Sequence, residues 1–209
     1  MFAIHASYRG RMRRRGAYVR EVVEAFSHSP VVRAVEHRSV EDFVVITEGP
    51  DETGGVVLSL IQGGDFAIGI GTVTGGAAAS EEDSEELEQQ VAATAGRAVS
   101  RTQKATTVTV RIERPGPGGV LAPGAAAMIG EDIAAAFTLL AFVLSRRTEE
   151  GREATALLRA GHLQSEAAAI VGISKQAMSQ RLAAAGWQAE QSGWSLAVHM
   201  LARVDELKQ

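Results

Sequence analysis

Five side chains in the C-terminal third, Ser174, Lys175, Gln176, Ser179 and Gln180, lie within the stretch LQSEAAAIVGISKQAMSQRLAAAGW, residues 163 to 187. Their types suit the edges of base pairs: glutamine and lysine for purine edges in a major groove, serine for base or phosphate. Their spacing turns them outward from the first turns of one helix when Met178 and Leu182, four residues apart, face inward. Gln164, Ser165 and Arg181 flank this group and are expected to hold phosphates, partly through the N-terminus of the helix before it. The chemistry in prospect is direct readout of double-stranded DNA, not bond making or breaking.

Two short helices and a tight turn must position these groups. Ser165 is predicted to cap the first helix, with Ala168 and Val171 inward. Gly172 sits where the chain leaves that helix, a place that favours a residue free to take positive φ. Ile173 fills the space between the helices, and Ser174, also counted among the base-reading residues, caps the second. An alanine, a glycine four on, and apolar residues one and six beyond the glycine make the helix-turn-helix pattern. The plainer alternative is a three-helix packing module that never touches DNA. The exposed face is polar and amide-rich rather than alternating in charge, which favours the DNA reading.

The neighbouring sequence extends the unit. TEEGREATALLRAG (148–161) predicts a leading helix capped by Thr148, with Glu149 and Glu150 in its first turn and Leu157 and Leu158 packed onto the motif. GWSLAVHMLARVDEL (193–207) predicts a further amphipathic helix with Trp194, Val198, Leu201 and Val204 along one side, serving either core packing or a dimer surface. Half-site recognition uses two copies, so this helix or one over 125–146 is expected to join a homodimer.

Composition bounds the rest. Of 209 residues, 45% are apolar and 22% charged, the balance of a globular chain, and cysteine is absent. Disulfides and cysteine-ligated zinc are thereby excluded, and a cytoplasmic location is expected. The basic residues of MFAIHASYRGRMRRRG follow a short apolar run, the reverse of a secretory signal. The near-continuous apolar run Ala134–Leu144 falls short of the ~20 residues of a membrane span, so a buried helix and no membrane partner are expected. Net charge is −4 overall; residues 146–209 hold eight Lys/Arg against seven Asp/Glu, and the remainder thirteen against eighteen. Neither half is a polycation, so DNA affinity must come from local placement doubled by dimerisation.

Along the first 145 residues the periodicity predicts strands at 1–7, within 31–47 (two, broken near Ser39–Asp42), at 66–73 and at 106–112. Helices are expected at 16–26, 56–62, 80–101 and roughly 125–146, with a turn cluster at 48–55 and a loop at 115–124. That order is the one of an α+β, ferredoxin-like unit with one extra helix and strand. The expected division is 1–122 as a sensor or dimerisation domain, 123–147 as a connecting helix, and 148–209 as an all-α helix-turn-helix domain. No catalytic residue, metal site or cofactor is expected, since His5, His28, His37, His162 and His199 show no ligand spacing. Gly69, Gly71, Gly75 and Gly76 in GIGTVTGG are read as a turn rather than a phosphate loop. Arg9, Arg11, Arg13, Arg14, Arg15 and Arg20 form a solvated basic loop, a supplementary DNA-backbone patch or an anion site. The acidic run 81–88 is read as a solvated helix face.

The arrangement RRTEE…LLRAGHLQSEAAAIVGISKQAMSQRLAAAGW resembles the C-terminal part of actinobacterial regulators related to SatD, with a MarR-type or sigma-region-4-like helix-turn-helix. YRGRMRRR and FAIGIGTV match further landmarks of that family, so the likeness extends along the chain. It implies an N-terminal domain laid out like a nucleotidyl-cyclase palm. In that family an Asp ends the first strand and a GDE signature stands at a hairpin tip, where such carboxylates hold a divalent metal. Here the first-strand position is Ser7, and the hairpin reads VEDFVV, which keeps Asp42 beside Phe43. A lone carboxylate cannot hold Mg²⁺ as a pair would. The expectation is therefore a homodimeric, sequence-specific transcriptional regulator with a non-catalytic N-terminal domain and room for a small-molecule effector. The alternative is a nucleotidyl-cyclase-like or nucleotide-binding enzyme with a DNA-binding tail.

Overall fold

The computed structural model describes residues 1–74, 80–114 and 124–208. The chain is α+β, with a five-stranded mixed sheet, eight α-helices and a closing 3₁₀ turn among those residues. In chain order the elements are β1 Phe2–Tyr8, α1 Arg15–Ser27, β2 Ala34–His37, β3 Asp42–Thr47, α2 Pro50–Gly63, β4 Phe66–Val73, α3 Glu81–Ala98 and β5 Val108–Glu113. Five helices follow: α4 Ala125–Ser145, α5 Glu149–Arg159, α6 Gln164–Ile170, α7 Lys175–Ala184 and α8 Trp187–Ala202.

The sheet order is β2-β3-β1-β4-β5, with antiparallel pairs throughout except β4 and β5, which run parallel. The first four strands with α1 and α2 are compatible with a ferredoxin-like unit, to which α3 and β5 add a crossover. Side chains alternate across the sheet. Ile4, Ala6, Phe43, Val45, Ile68 and Ile70 face a cluster shared with α2, α4 and α8. Ala3, Val44 and Ile46 face Val91, Ala92 and Ala95 of α3 on the other side.

Gly69 and Gly71 are neither turn nor phosphate loop; both lie within β4. A Cβ on Gly71 would stand 2.1 Å from the Ala95 nitrogen, and one on Gly69 2.7 Å from the Ala95 carbonyl oxygen. The glycines let α3 lie directly on the strand, a use of the missing side chain that periodicity does not reveal. Gly75 and Gly76, most of the expected loop at 115–124, and the expected boundary at 122/123 fall outside the described residues.

The turn cluster expected at 48–55 is instead the start of α2. Pro50 occupies the first helical turn, where its missing N–H costs nothing, and Asp51 and Glu52 meet the positive end of the helix dipole. Thr53 Oγ1 donates to the Gly49 carbonyl at 2.7 Å and shares a buried hydrogen bond with Thr47. Helix α8 begins at Trp187, six residues before the expected start. Its Ala197 and Leu201, with Val204 of the closing 3₁₀ turn, belong to the same apolar cluster as the sheet, and Trp194 is within reach of Gly54 on α2. Helix α4 is long and apolar enough, by length and composition, to cross a bilayer, with mean hydropathy 1.8. Here Ile129, Ile133, Phe137, Leu140 and Leu144 turn one side of it into the core.

Candidate functional site

Helices α5, α6 and α7 close over their own small core of Ala154, Ala167, Ala168, Met178 and Leu182, with Leu157, Leu158, Val171, Ile173 and Trp187 packed around it. Gly172 takes φ +70° in the turn between α6 and α7, and Gly161 takes φ +90° between α5 and α6. Thr148 caps α5 by accepting from the Gly151 N–H at 3.2 Å, and Ser174 caps α7 by accepting from Ala177 N–H at 3.1 Å. The expected cap on α6 is corrected. Leu163 holds the capping position, and the Glu166 carboxylate accepts the Leu163 N–H at 2.8 Å, leaving Ser165 half-buried in the first turn. A fixed carboxylate therefore already serves the start of α6, which offsets any pull of that end on a phosphate.

The outward group is brought together. Ser174, Lys175, Gln176, Ser179 and Gln180 are all exposed on the first turns of α7, while Met178 and Leu182 are buried. Ser174 already spends an oxygen lone pair on its cap but retains its hydroxyl hydrogen as a donor. Gln164 is exposed, and its amide donates to the Lys175 carbonyl at 3.4 Å, tying the start of α6 to the start of α7. Arg181 is half-buried, 3.8 Å from Glu153 on α5. An ion pair that long and that exposed on the Glu153 side costs little to break.

In the N-terminal unit, Ser7 and Asp42 are direct cross-strand partners. The Ser7 hydroxyl donates to Asp42, the Ser39 hydroxyl donates to the other carboxylate oxygen at 2.5 Å, and His5 Nε2 stands 3.6 Å away. Burial pushes the Asp42 carboxyl up, but the two hydroxyls and His5 outweigh it and hold it below the usual carboxylate range. Burial lowers His5 below the ordinary imidazole value, against the raising pull of Asp42. Arg9 is drawn out of the basic loop to donate to Ser7, Gln103 and Ser100, and Arg15 pairs with Glu41 at 2.6 Å. Arg11, Arg13, Arg14 and Arg20 stay exposed. Among the described residues no group of histidines and carboxylates could hold a metal ion.

A third constellation was missed from the sequence. Glu190 on α8 is buried, and both its oxygens are held by arginines: Arg147, between α4 and α5, and Arg159, near the end of α5. Arg159 forms the fork at 2.9 Å on each arm, with its guanidinium 5.8 Å from the Trp187 ring. Arg147 is as deeply buried, donates to the Ala185 carbonyl at 2.7 Å, and reaches Thr155. The triad ties α5 and the end of α7 to α8. A buried carboxylate needs such partners, but nothing local in the sequence pairs residues this far apart.

Comparison with known protein families, with curated proteins and with solved structures finds no match to this chain.

Proposed function

We propose that this protein is a cytoplasmic, homodimeric, sequence-specific DNA-binding transcriptional regulator of the SatD-related kind. In this reading α6 and α7 form a helix-turn-helix behind a ferredoxin-like, palm-like N-terminal domain that does no chemistry. The observation that supports it best is the set of five polar side chains exposed together on the first turns of α7, over buried Met178 and Leu182. Lys175, Gln176, Ser179 and Gln180, with Ser174, read base edges, while Gln164, Ser165 and Arg181 meet the backbone. The non-catalytic reading of the N-terminal domain is supported by the surroundings of Asp42, whose hollow is lined by Arg9, Arg38 and Arg101 and, among the described residues, by no second carboxylate.

Gln176→Ala is expected to cost about 1–3 kcal/mol on the preferred duplex and to relax preference at one base position. Arg181→Ala should weaken all sequences alike and reduce the salt slope by about 1. Fluorescence anisotropy on selected and random duplexes across a salt series measures both. A double variant that binds like the wild type would sink the assignment.

In this reading the two copies meet through the outer side of α4. The rival stripe on α8 is spent in the core, whereas Met128, Leu139 and Phe142 on α4 are each more than half exposed. Eleven residues return a helix to nearly the same side, so Met128 and Leu139 share one line with Phe142 close by. A Leu139→Glu/Phe142→Glu variant is expected to sediment as a monomer and to bind a two-site duplex about a hundredfold more weakly. Retention of a dimer by that variant would place the interface elsewhere.

A further inference from the structure

Between the body and the α5–α7 unit lies a cleft of about 660 Å³, walled by the end of α2, the last turns of α4 and one side of α5. Its chemistry is uneven. Arg147, Arg152 and Arg159 line it together with the Thr155 and Thr106 hydroxyls, and no carboxylate does. Ile61, Ala141, Leu144 and Ala156 supply an apolar wall. Glu190, behind the wall, neutralises one of the three guanidinium charges, so the lining keeps a positive excess. Arg147 is itself buried, and its Nη2 lies against Glu190 as an ion pair without a well-aligned hydrogen bond. Arg152 is exposed on the first turns of α5.

With three guanidinium groups against one carboxylate, the lining keeps a repulsion that a bound anion would relieve. The volume suits a small ligand, and the split lining suits one with an acidic head and an apolar body. We propose that this cleft binds a small organic anion of that kind. The acid group meets Arg152 and the exposed edge of Arg159, and the apolar part lies on Ile61, Leu144 and Ala156. Regulation follows from the position of α5, a consequence that rests on the DNA-binding reading above. Arg152, Thr155, Ala156 and Arg159 face the cleft, while Ala154, Leu157 and Leu158 of the same helix support α6 and α7. A ligand that clamps α5 to α2 and α4 fixes the orientation of the reading helix.

The probe is 1-anilinonaphthalene-8-sulfonate, an aromatic body with one fixed negative charge, titrated by fluorescence into the full chain without DNA. Arg152→Glu reverses a charge outside the buried triad, and Ala156→Trp fills the apolar side. Each is expected to weaken the probe about tenfold or more while the melting temperature stays within a few degrees of the wild type, and octanoate should compete with the probe in the wild type. Equal probe affinity in the wild type and both variants would overturn the proposal, because the dye would then be reporting another apolar surface such as the outer side of α4. The titration contains no nucleic acid, so its failure is separable from failure of the exposed α7 residues to bind duplex.

Discussion

Glu190→Ala is expected to lower the free energy of unfolding by about 3–5 kcal/mol, the usual range for removing one partner of a buried ion pair. The loss arises less from the attraction given up than from the charge left behind. Arg147 is buried with its side chain only 2% exposed, so without Glu190 it keeps an uncompensated guanidinium in the interior. Arg159, whose side chain is 29% exposed, can turn toward water and its contact with Trp187. This asymmetry yields a control. The double variant Arg147→Met/Glu190→Leu removes both deeply buried charges and should recover most of the loss, since apolar replacements of such pairs are often neutral. Urea titration followed by circular dichroism measures all three proteins. A single variant within 1 kcal/mol of the wild type, or a double variant no better than the single, would show the triad to be solvated.

Gly71→Val is expected to cost at least as much, about 4 kcal/mol or more, through overpacking rather than charge. The added Cβ meets backbone, the Ala95 nitrogen at 2.1 Å and the Val91 oxygen at 2.7 Å, and backbone cannot rotate aside. Helix α3 must lift, which uncovers Ala3, Val44 and Ile46 on that face of the sheet. Gly71→Ala gives the milder form, with a melting temperature lowered by several degrees even if the valine variant does not fold. Gly55→Ala on α2, whose new methyl would sit 3.9 Å from the Trp194 ring, should melt at or above the wild-type temperature. A melting temperature for Gly71→Ala equal to that of Gly55→Ala would contradict the close approach of α3.

The sequence made the element order legible because period is a local property. Alternation marked β5 and short apolar runs marked β1 and β3, while Ser80, Thr148 and Ser174 announced their helices through the hydroxyls that cap them. It misled where one residue type has two local uses. Pro50 and the glycines near it read as a turn, yet proline also opens helices, and Gly54 makes room for Trp194 arriving from far down the chain. Ser165 looked like a cap, but the helix already starts at Gln164, with Leu163 in the capping position and Glu166 accepting its N–H. The outward side of α7 was legible residue by residue, since Met178 and Leu182 fixed its rotation. The cleft and the triad were not, because Arg147, Arg159 and Glu190 belong to separate elements that only tertiary packing brings together. No periodicity encodes such a meeting.

The return of α8 to the sheet sets an order of events during synthesis. All five strands have been made once Glu113 is added, yet the cover of one face still lacks Ala197, Leu201 and Val204. At ordinary elongation rates the ribosome needs about 5–20 s to complete that intervening stretch. During the interval the sides of α2 and α4 that later receive α8 stand open to water, and the nascent chain offers a sizeable apolar surface to chaperones. The body therefore closes only after α5, α6 and α7 have emerged, so that this three-helix unit is already outside when the lid it hangs from is fastened.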